Sequence, residues 1–221
     1  MTQHYVIWSG GLDSTVLLDQ VIKNNSQDTI NTITIDHDQV NQDQKKLEKK
    51  ARERYTQYIQ KQRWYKGIDR QNVITINATY GILPCGYDQA VTWLIYSLPY
   101  IYDYSKSIVH FGYIKHDDFW HGRYQFIKAF ENLTALKNEA ELSFDLEWMT
   151  KAEILKYANT ELPKGCYWYC EYPRKWGKGY RICGTCSSCK RHHMAEYELE
   201  KYYSNVEAVE KAKIEDKADA N

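Results

Sequence analysis

His4-Tyr5-Val6-Ile7-Trp8-Ser9-Gly10-Gly11-Leu12-Asp13-Ser14-Thr15-Val16-Leu17-Leu18 is the stretch that decides the fold. Its first five residues are a β-type run, the next three a small-residue turn. From Val16 the apolar positions Leu17, Leu18, Val21 and Ile22 recur with helical spacing. A strand, a tight loop and a helix therefore follow one another directly. Small residues at such a junction let backbone N–H groups approach an anion, and the helix N-terminus adds a favourable field. Ser9, Ser14 and Thr15 contribute hydroxyls, and Asp13 a carboxylate able to orient the loop or to help hold a magnesium ion. The pattern G-x-x-x-x-G-K-S/T occurs nowhere, which disfavours a Walker-type NTPase.

Working outward, strand and helix candidates alternate. Asn31 to Asp36, Asn72 to Ile76, Ser107 to Gly112 and Ser143 to Glu147 are expected as strands two to five. Gln42 to Gln62, Tyr87 to Tyr104 and Gly122 to Lys137 are expected as helices, the last burying Phe126, Ile127, Phe130 and Leu133. Thr150-Lys151-Ala152-Glu153 has the form of a capping box, so another helix should run from there to about Asn159. This alternation predicts an α/β domain over 1–160, with a parallel five-stranded sheet and helices on both faces. In such sheets a ligand sits beyond the carboxyl ends of the strands, where Ser9, Asp36 and Gly112 converge.

The 221 residues carry 29 Lys plus Arg and 29 Asp plus Glu, so no global charge draws the chain toward nucleic acid or an anionic membrane. Direct nucleic-acid binding and membrane association are both expected to be absent. No apolar run approaches the roughly 18 residues of a membrane span, and no basic leader follows Met1, which reads as a cytoplasmic protein.

Three of the six cysteines form Cys183-Gly184-Thr185-Cys186-Ser187-Ser188-Cys189, a spacing that lets three thiolates converge on one tetrahedral zinc ion. Cys170 is the first choice for the fourth ligand and Cys166 the competitor, with His192 and His193 weaker candidates. An iron-sulfur cluster also suits three close cysteines and a distant fourth. Cys85 stands apart as a packed thiol. Gly165 to Gly184 reads as a metal-organised loop, 161–204 as a small metal-binding subdomain with a C-terminal helix, and the charged, Ala-rich 205–221 as a fraying tail.

Ser9-Gly10-Gly11-Leu12-Asp13-Ser14 directly after the first strand resembles the PP-loop ATP pyrophosphatase family, whose hallmark is S-G-G-x-D-S at that place. The resemblance implies ATP with magnesium, cleavage between the α and β phosphates, and an adenylated substrate that a nucleophile attacks. With cysteines near the C-terminus as well, the chain resembles the 7-cyano-7-deazaguanine synthase branch. Gly122-Arg123-Tyr124-Gln125-Phe126 and Met149-Thr150-Lys151-Ala152-Glu153 are similar to that branch's arginine segment and lysine-containing helix start. On this resemblance Asp13, Ser14, Arg123 and Lys151 carry the chemistry. Ser9, Gly10, Gly11, Leu12, Thr15, Asp36 and Gly112 complete the nucleotide site, and Cys170, Cys183, Cys186 and Cys189 hold a structural zinc. The implied substrates are 7-carboxy-7-deazaguanine and ammonia, the product the nitrile by way of an amide, and the assembly a homodimer.

The chain departs from the branch in two places. An aromatic-Gly-Gln segment is replaced by Asp36-His37-Asp38-Gln39, and a Gly-Arg-Asn helix entry by Cys85-Gly86-Tyr87-Asp88. His37, His116, Asp117 and Asp118 then stand as local replacements. Three alternatives remain open: an enzyme stopping at the amide, one adenylating a tRNA base, and a nucleotide-binding module without chemistry.

Overall fold

The computed structural model describes residues 2–37, 41–62, 72–78, 89–101, 106–135 and 140–218, with the backbone alone described at 36, 37, 72–78, 89 and 207–218. Strands β1 (Gln3–Ile7), β2 (Thr29–His37), β3 (Asn72–Ala78), β4 (Ser107–His110) and β5 (Ala140–Ser143) form one sheet in the order β3-β2-β1-β4-β5. Every pairing is parallel, with Ile7 opposite Ile33 on one side of β1 and Val6 opposite His110 on the other. The helices are α1 (Leu12–Asn24), α2 (Gln42–Ile59), α3 (Gln89–Ile101), α4 (Arg123–Thr134), α5 (Lys151–Glu161) and α6 (Ser187–Ala218). The fold class expected from the sequence is therefore the one observed.

Period-2 alternation on β1 divides the core. Val6 and Trp8 face a cluster with Val16, Leu17, Tyr55 and Leu155, whereas Tyr5 and Ile7 face one with Leu94, Phe126 and Phe130. Helices thus cover both faces, as burial of a parallel sheet requires. Beneath the first face Asp19, fully buried on α1, accepts the Tyr55 hydroxyl of α2 (2.9 Å) and the Tyr157 hydroxyl of α5 (2.7 Å). Lys23 completes the knot, 2.8 Å from Asp19 and 3.0 Å from Glu161. A buried carboxylate satisfied this way fixes where α5 begins relative to α1.

The structure corrects several sequence expectations. The fifth strand ends at Ser143, where Ser143 to Glu147 was expected to form it. Phe144 and Leu146 are buried from a turn, closed by Glu147 N–H to Phe144 O (3.0 Å) and Met149 N–H to Leu146 O (2.9 Å), so alternation there imitates a strand. On α4, Phe126 and Phe130 are buried but Leu133 is 45% exposed, and Thr134 takes the inward position. The segment read as an irregular loop contains an antiparallel hairpin, β6 (Arg174–Trp176) and β7 (Gly179–Arg181). Its two-residue turn starts at Gly177 with φ +57°, a left-handed conformation that glycine adopts without steric cost. Helical backbone also continues to Ala218, past the point at which the sequence was expected to fray. No helix among the described residues is long and apolar enough to cross a membrane.

Candidate functional site

Chain order reverses between β1 and β4, which makes the crevice beyond their carboxyl ends the topological switch point of the sheet. Ser9-Gly10-Gly11 leaves β1 there and Phe111-Gly112 leaves β4. Gly10 sits at φ +92°, and a Cβ on it would lie 2.6 Å from the Glu48 carbonyl oxygen of α2, so only glycine lets the loop pass under that helix. Arg52 of α2 also donates to the Ser9 carbonyl. Ser9 Oγ accepts from Gly11 N–H at 3.0 Å and lies 3.0 Å from Ser14 Oγ, bending the turn so that α1 starts without a side-chain cap. Opposite, a Cβ on Gly112 would stand 3.4 Å from the Ser14 backbone, so the two loops lie within van der Waals reach of each other. The first amides of α1 therefore open onto a cleft of about 290 Å³ lined by Ser9, Gly11, Leu12, Asp13, Ser14 and Gly112.

Two cations enter this cleft. Lys151, the first residue of α5, places Nζ 2.6 and 2.8 Å from the two Asp13 carboxylate oxygens. The capping box behind it is complete: Thr150 Oγ1 accepts the Glu153 N–H at 3.3 Å and the Glu153 carboxylate accepts the Thr150 N–H at 2.7 Å. The Thr150 N–H, and then the Thr150 hydroxyl donating to the same carboxylate at 2.9 Å, hold the Glu153 carboxyl below its ordinary range. Arg191 of α6 is the second cation. Asp117 also faces the cleft; burial pushes its carboxyl above the ordinary range, against the Phe119 N–H and the Arg191 charge.

Arg123 and Thr15 are placed elsewhere. Arg123 pairs with Glu147 at 2.9 Å and lies over the rings of Trp120 (4.9 Å) and Phe144 (5.3 Å), in a separate depression with His116. Thr15 is fully buried and its hydroxyl accepts the Trp8 indole N–H at 3.0 Å, so it holds the loop from behind. Gly10 likewise shapes the turn without lining the cleft. The side chains of Asp36 and His37, and residues 38–40 and 85–88 with Cys85, lie outside the described residues. Sequence reasoning missed Arg191, which follows the cysteine run with nothing to mark it among Lys190, His192 and His193. It also missed Glu48, Glu171 and Ser188, which reach the cleft through tertiary packing.

Cys170, Cys183, Cys186 and Cys189 bring their sulfurs within 4.8 Å of one another, the geometry of four ligands around one centre. Sulfur is also met by amides: Thr185 and Cys186 N–H point at Cys183 Sγ (3.4 and 3.3 Å), Cys183 N–H at Cys170 Sγ (3.2 Å) and Cys189 N–H at Cys186 Sγ (3.4 Å). Such donors favour thiolates, the form that binds metal. Gly184 at φ +75° makes the turn between the first pair. The rival ligand Cys166 is buried in the main core instead, its thiol pushed up to about 11 by burial. His192 and His193 are outside the group as well; His192 stacks on Tyr169 at 3.7 Å and His193 pairs with Glu196 at 3.0 Å. The thiol loop is bound to the Ser9-Gly10-Gly11 loop. Trp168 N–H donates to Gly10 O at 3.0 Å, and Gly11 and Trp168 form a parallel bridge.

No protein-family model matches the chain, and no curated protein sequence does. Among solved structures it is similar to the U34-tRNA thiolase NcsA from Methanococcus maripaludis, solved with its 4Fe-4S cluster, at 13% identity and a TM-score of 0.47, over 93% of this chain and 72% of that one. It is also similar to a predicted subunit of tRNA methyltransferase from Methanocaldococcus jannaschii, at 13% identity and a TM-score of 0.41, over 90% and 88% of the two chains. Likenesses this remote carry no argument about activity or cofactor.

Proposed function

We propose that the chain is an ATP-using enzyme of the PP-loop kind that adenylates the carboxylate of 7-carboxy-7-deazaguanine and joins it to ammonia. One observation carries this reading: an uncapped helix N-terminus at the switch point of the sheet, with an ammonium held beside it on Asp13. The α1 amides and the hydroxyls of Ser9 and Ser14 would hold the phosphates, and Lys151 and Arg191 would neutralise the charge that develops as pyrophosphate leaves. Both Asp13 oxygens are engaged by Lys151, so Asp13 acts as the orienting group. Asp117 is then the carboxylate placed to meet magnesium, whose chemistry there is to offset phosphate charge.

The substrate carboxylate oxygen attacks the α phosphorus and pyrophosphate departs. Ammonia then adds at the carbonyl carbon, AMP leaves with the former carboxylate oxygen, and a proton is lost to give the amide. The amide oxygen then attacks a second ATP, with loss of pyrophosphate and one N–H proton, and departure of AMP with that oxygen and loss of the second N–H proton leaves the nitrile. Trp168, on the cleft wall, offers a ring face for a purine-like substrate.

The four thiols are best filled by zinc. Sulfurs on one tetrahedral ion with ~2.3 Å bonds stand about 3.8 Å apart, and Cys183 and Cys189 are 3.8 Å apart. An iron-sulfur cubane binds each thiolate to a different iron and needs them farther apart. With four thiolates zinc has no open position, so its role is to shape the wall.

The test is incubation of the zinc-loaded protein with ATP, magnesium, ammonia and 7-carboxy-7-deazaguanine, followed by mass spectrometry of the deazapurine and chromatography of the nucleotides. Nitrile with AMP and pyrophosphate establishes the reading, and amide alone places the end point at the first half. Neither product, with ATP still bound, overturns the substrate assignment.

A further inference from the structure

Trp168 and Tyr169 are walls of two cavities. Behind the phosphate cleft's lining they also bound a larger space of about 580 Å³, enclosed by α2, the end of α5 with the loop after it, and the β6–β7 turn. Tyr180 fixes the hairpin in place by donating to Asp43 of α2 at 2.7 Å. Four cations from these separate elements line the cavity, namely Lys50 and Arg54 of α2, Lys164 and Lys178, and no Asp or Glu among the described residues lines it. None of the four forms an ion pair with a described residue. In a chain whose positive and negative side chains balance at 29 each, this is a local concentration that the total conceals. Like charges gathered around a concavity repel one another, and such a field favours an anion.

Four aromatic side chains, Tyr167, Trp168, Tyr169 and Tyr180, line it as well, beside aliphatic Leu47, Leu162 and Pro163. Beyond the rim the hairpin continues the same mixture. Arg174, Lys175 and Arg181 are all exposed, Trp176 is 64% exposed with the Arg181 guanidinium 4.0 Å over its ring, and Tyr172 is 62% exposed.

We infer that this cavity and the hairpin beside it bind a single-stranded polynucleotide. A strand alternates phosphates with flat bases. The surface combines cations with aromatic side chains, the combination by which proteins hold unpaired strands. A lone phosphate would leave most of the aromatic lining idle. A duplex keeps its bases stacked and cannot offer them to the rings, and a bilayer surface presents charged headgroups but no flat bases to stack on them. The site stands on these observations whether or not the deazapurine reading holds. Because Trp168 is bonded to Gly10, a bound strand lies against the wall of the phosphate cleft.

The probe is a labelled mixed-sequence RNA of about 12 nucleotides, a length within the usual site sizes, read by fluorescence anisotropy. DNA of the same sequence, the duplex, and phosphatidylserine vesicles serve as comparisons. Four phosphate contacts on a single strand give a log-log salt slope of about −2.8, so affinity falls about 50-fold between roughly 50 and 200 mM salt. Lys164→Glu/Lys178→Glu should reduce the slope to about −1.4 and weaken binding at least about tenfold at the lower salt. Trp176→Ala, which leaves every charge in place, should weaken it at least about fivefold. Lys106→Glu/Lys128→Glu, the same charge change on β4's entry and on α4, should leave it within about twofold of the unaltered chain once general charge is allowed for. Equal binding of RNA and DNA, or preference for RNA through its 2′-hydroxyl, supports the inference. Absence of binding at low salt, equal loss in the control pair, tighter duplex binding, or vesicle binding that depends on the same residues overturns it. Unchanged thermal unfolding of the variants excludes misfolding as the cause.

Discussion

Replacing Lys151 by Met removes the ammonium from the phosphate cleft and keeps most of the stem that packs beside it. Nζ is held 2.6 and 2.8 Å from the Asp13 oxygens, with 22% of the lysine side chain and 30% of the aspartate exposed. A charge-assisted hydrogen bond to a phosphate oxygen contributes about 1.5–3 kcal/mol. Its loss also leaves the Asp13 carboxylate unneutralised beside the bound nucleotide. Two like charges about 5 Å apart at an effective dielectric near 20 repel by about 3 kcal/mol, and partial exposure reduces that to about 1 kcal/mol. The sum is about 3 kcal/mol, or roughly a hundredfold weaker binding. The fold should lose only about 1 kcal/mol, because the pair is partly exposed and water screens it. Calorimetric titration with a non-hydrolysable ATP analogue and magnesium measures the first quantity, and denaturant unfolding the second. Since Asp13 acts through the ammonium, Asp13→Asn/Lys151→Met should bind about fivefold more tightly than Lys151→Met alone, as the repulsion of about 1 kcal/mol is gone. A single variant within threefold of the unaltered chain, or a double variant weaker than the single, would refute the reasoning.

The other predictions concern the parts that hold this site. Asp19→Ala strands a buried Tyr55 hydroxyl and one side of Lys23, and should cost about 3 kcal/mol in denaturant unfolding. Burial alone lowers the Lys23 ammonium, but its bonds to Asp19, Glu161 and Tyr157 outweigh this and raise it; burial and then Asp19 raise Tyr55 and Tyr157. Groups raised on folding contribute stability below the unfolded values of 10.0 for tyrosine and 10.5 for lysine and lose it as pH climbs through the folded ones, so alkaline unfolding should be steeper in the unaltered chain than in Asp19→Ala. Gly10→Ala forces a left-handed alanine against the Glu48 carbonyl and should cost at least about 2 kcal/mol, measured as a lowered unfolding midpoint with ATP affinity lost in parallel. Asp117 is raised by burial, so its ionised form opposes folding above the ordinary carboxylate range; Asp117→Asn should stabilise the ligand-free protein at neutral pH, with the difference vanishing as pH falls below that range, while magnesium-ATP affinity falls. Cys186→Ser should abolish stoichiometric zinc in metal analysis; retention of one zinc per chain would remove Cys186 from the site.

Much of this arrangement was legible because local chemistry fixed it. The β1–loop–α1 unit, the Thr150–Glu153 box before Lys151 and the cysteine spacing are each specified within a few residues. What failed did so where two structures write the same pattern. Phe144 and Leu146 alternate as a strand would, but turn hydrogen bonds claim their backbone and the strand lies before them. Arg123 opens a helix as expected, yet Glu147 and the rings of Trp120 and Phe144 hold it in another depression. Thr15 has the right hydroxyl in the right string, but an i, i+7 bond from Trp8 turns it inward. Cys166 and Cys170 could be separated only by packing, since the first belongs to the core of α1 and α5 and the second to the thiol group. The basic cavity was invisible because its four cations come from positions 50, 54, 164 and 178, too far apart in sequence to register as a charge run.

The same packing links the four-thiol group to the cleft. Glu171 follows the ligand Cys170 and accepts hydroxyls from Ser187 and Ser188, which lie between the ligands Cys186 and Cys189 at the start of α6. Two residues beyond Cys189, Arg191 enters the cleft from that helix, alongside Ser188 and Glu171 themselves. On the other flank the Trp168 indole donates to Cys170 O at 2.8 Å while its amide holds Gly10. The C-terminal wall of the phosphate site is thus assembled from residues adjacent in sequence to thiol ligands. An ion that gathers the four sulfurs positions a cation and the back of the phosphate loop without touching a phosphate. The cysteine segment is in this sense the second half of the cleft, and Trp168 is the contact through which order in one half is imposed on the other.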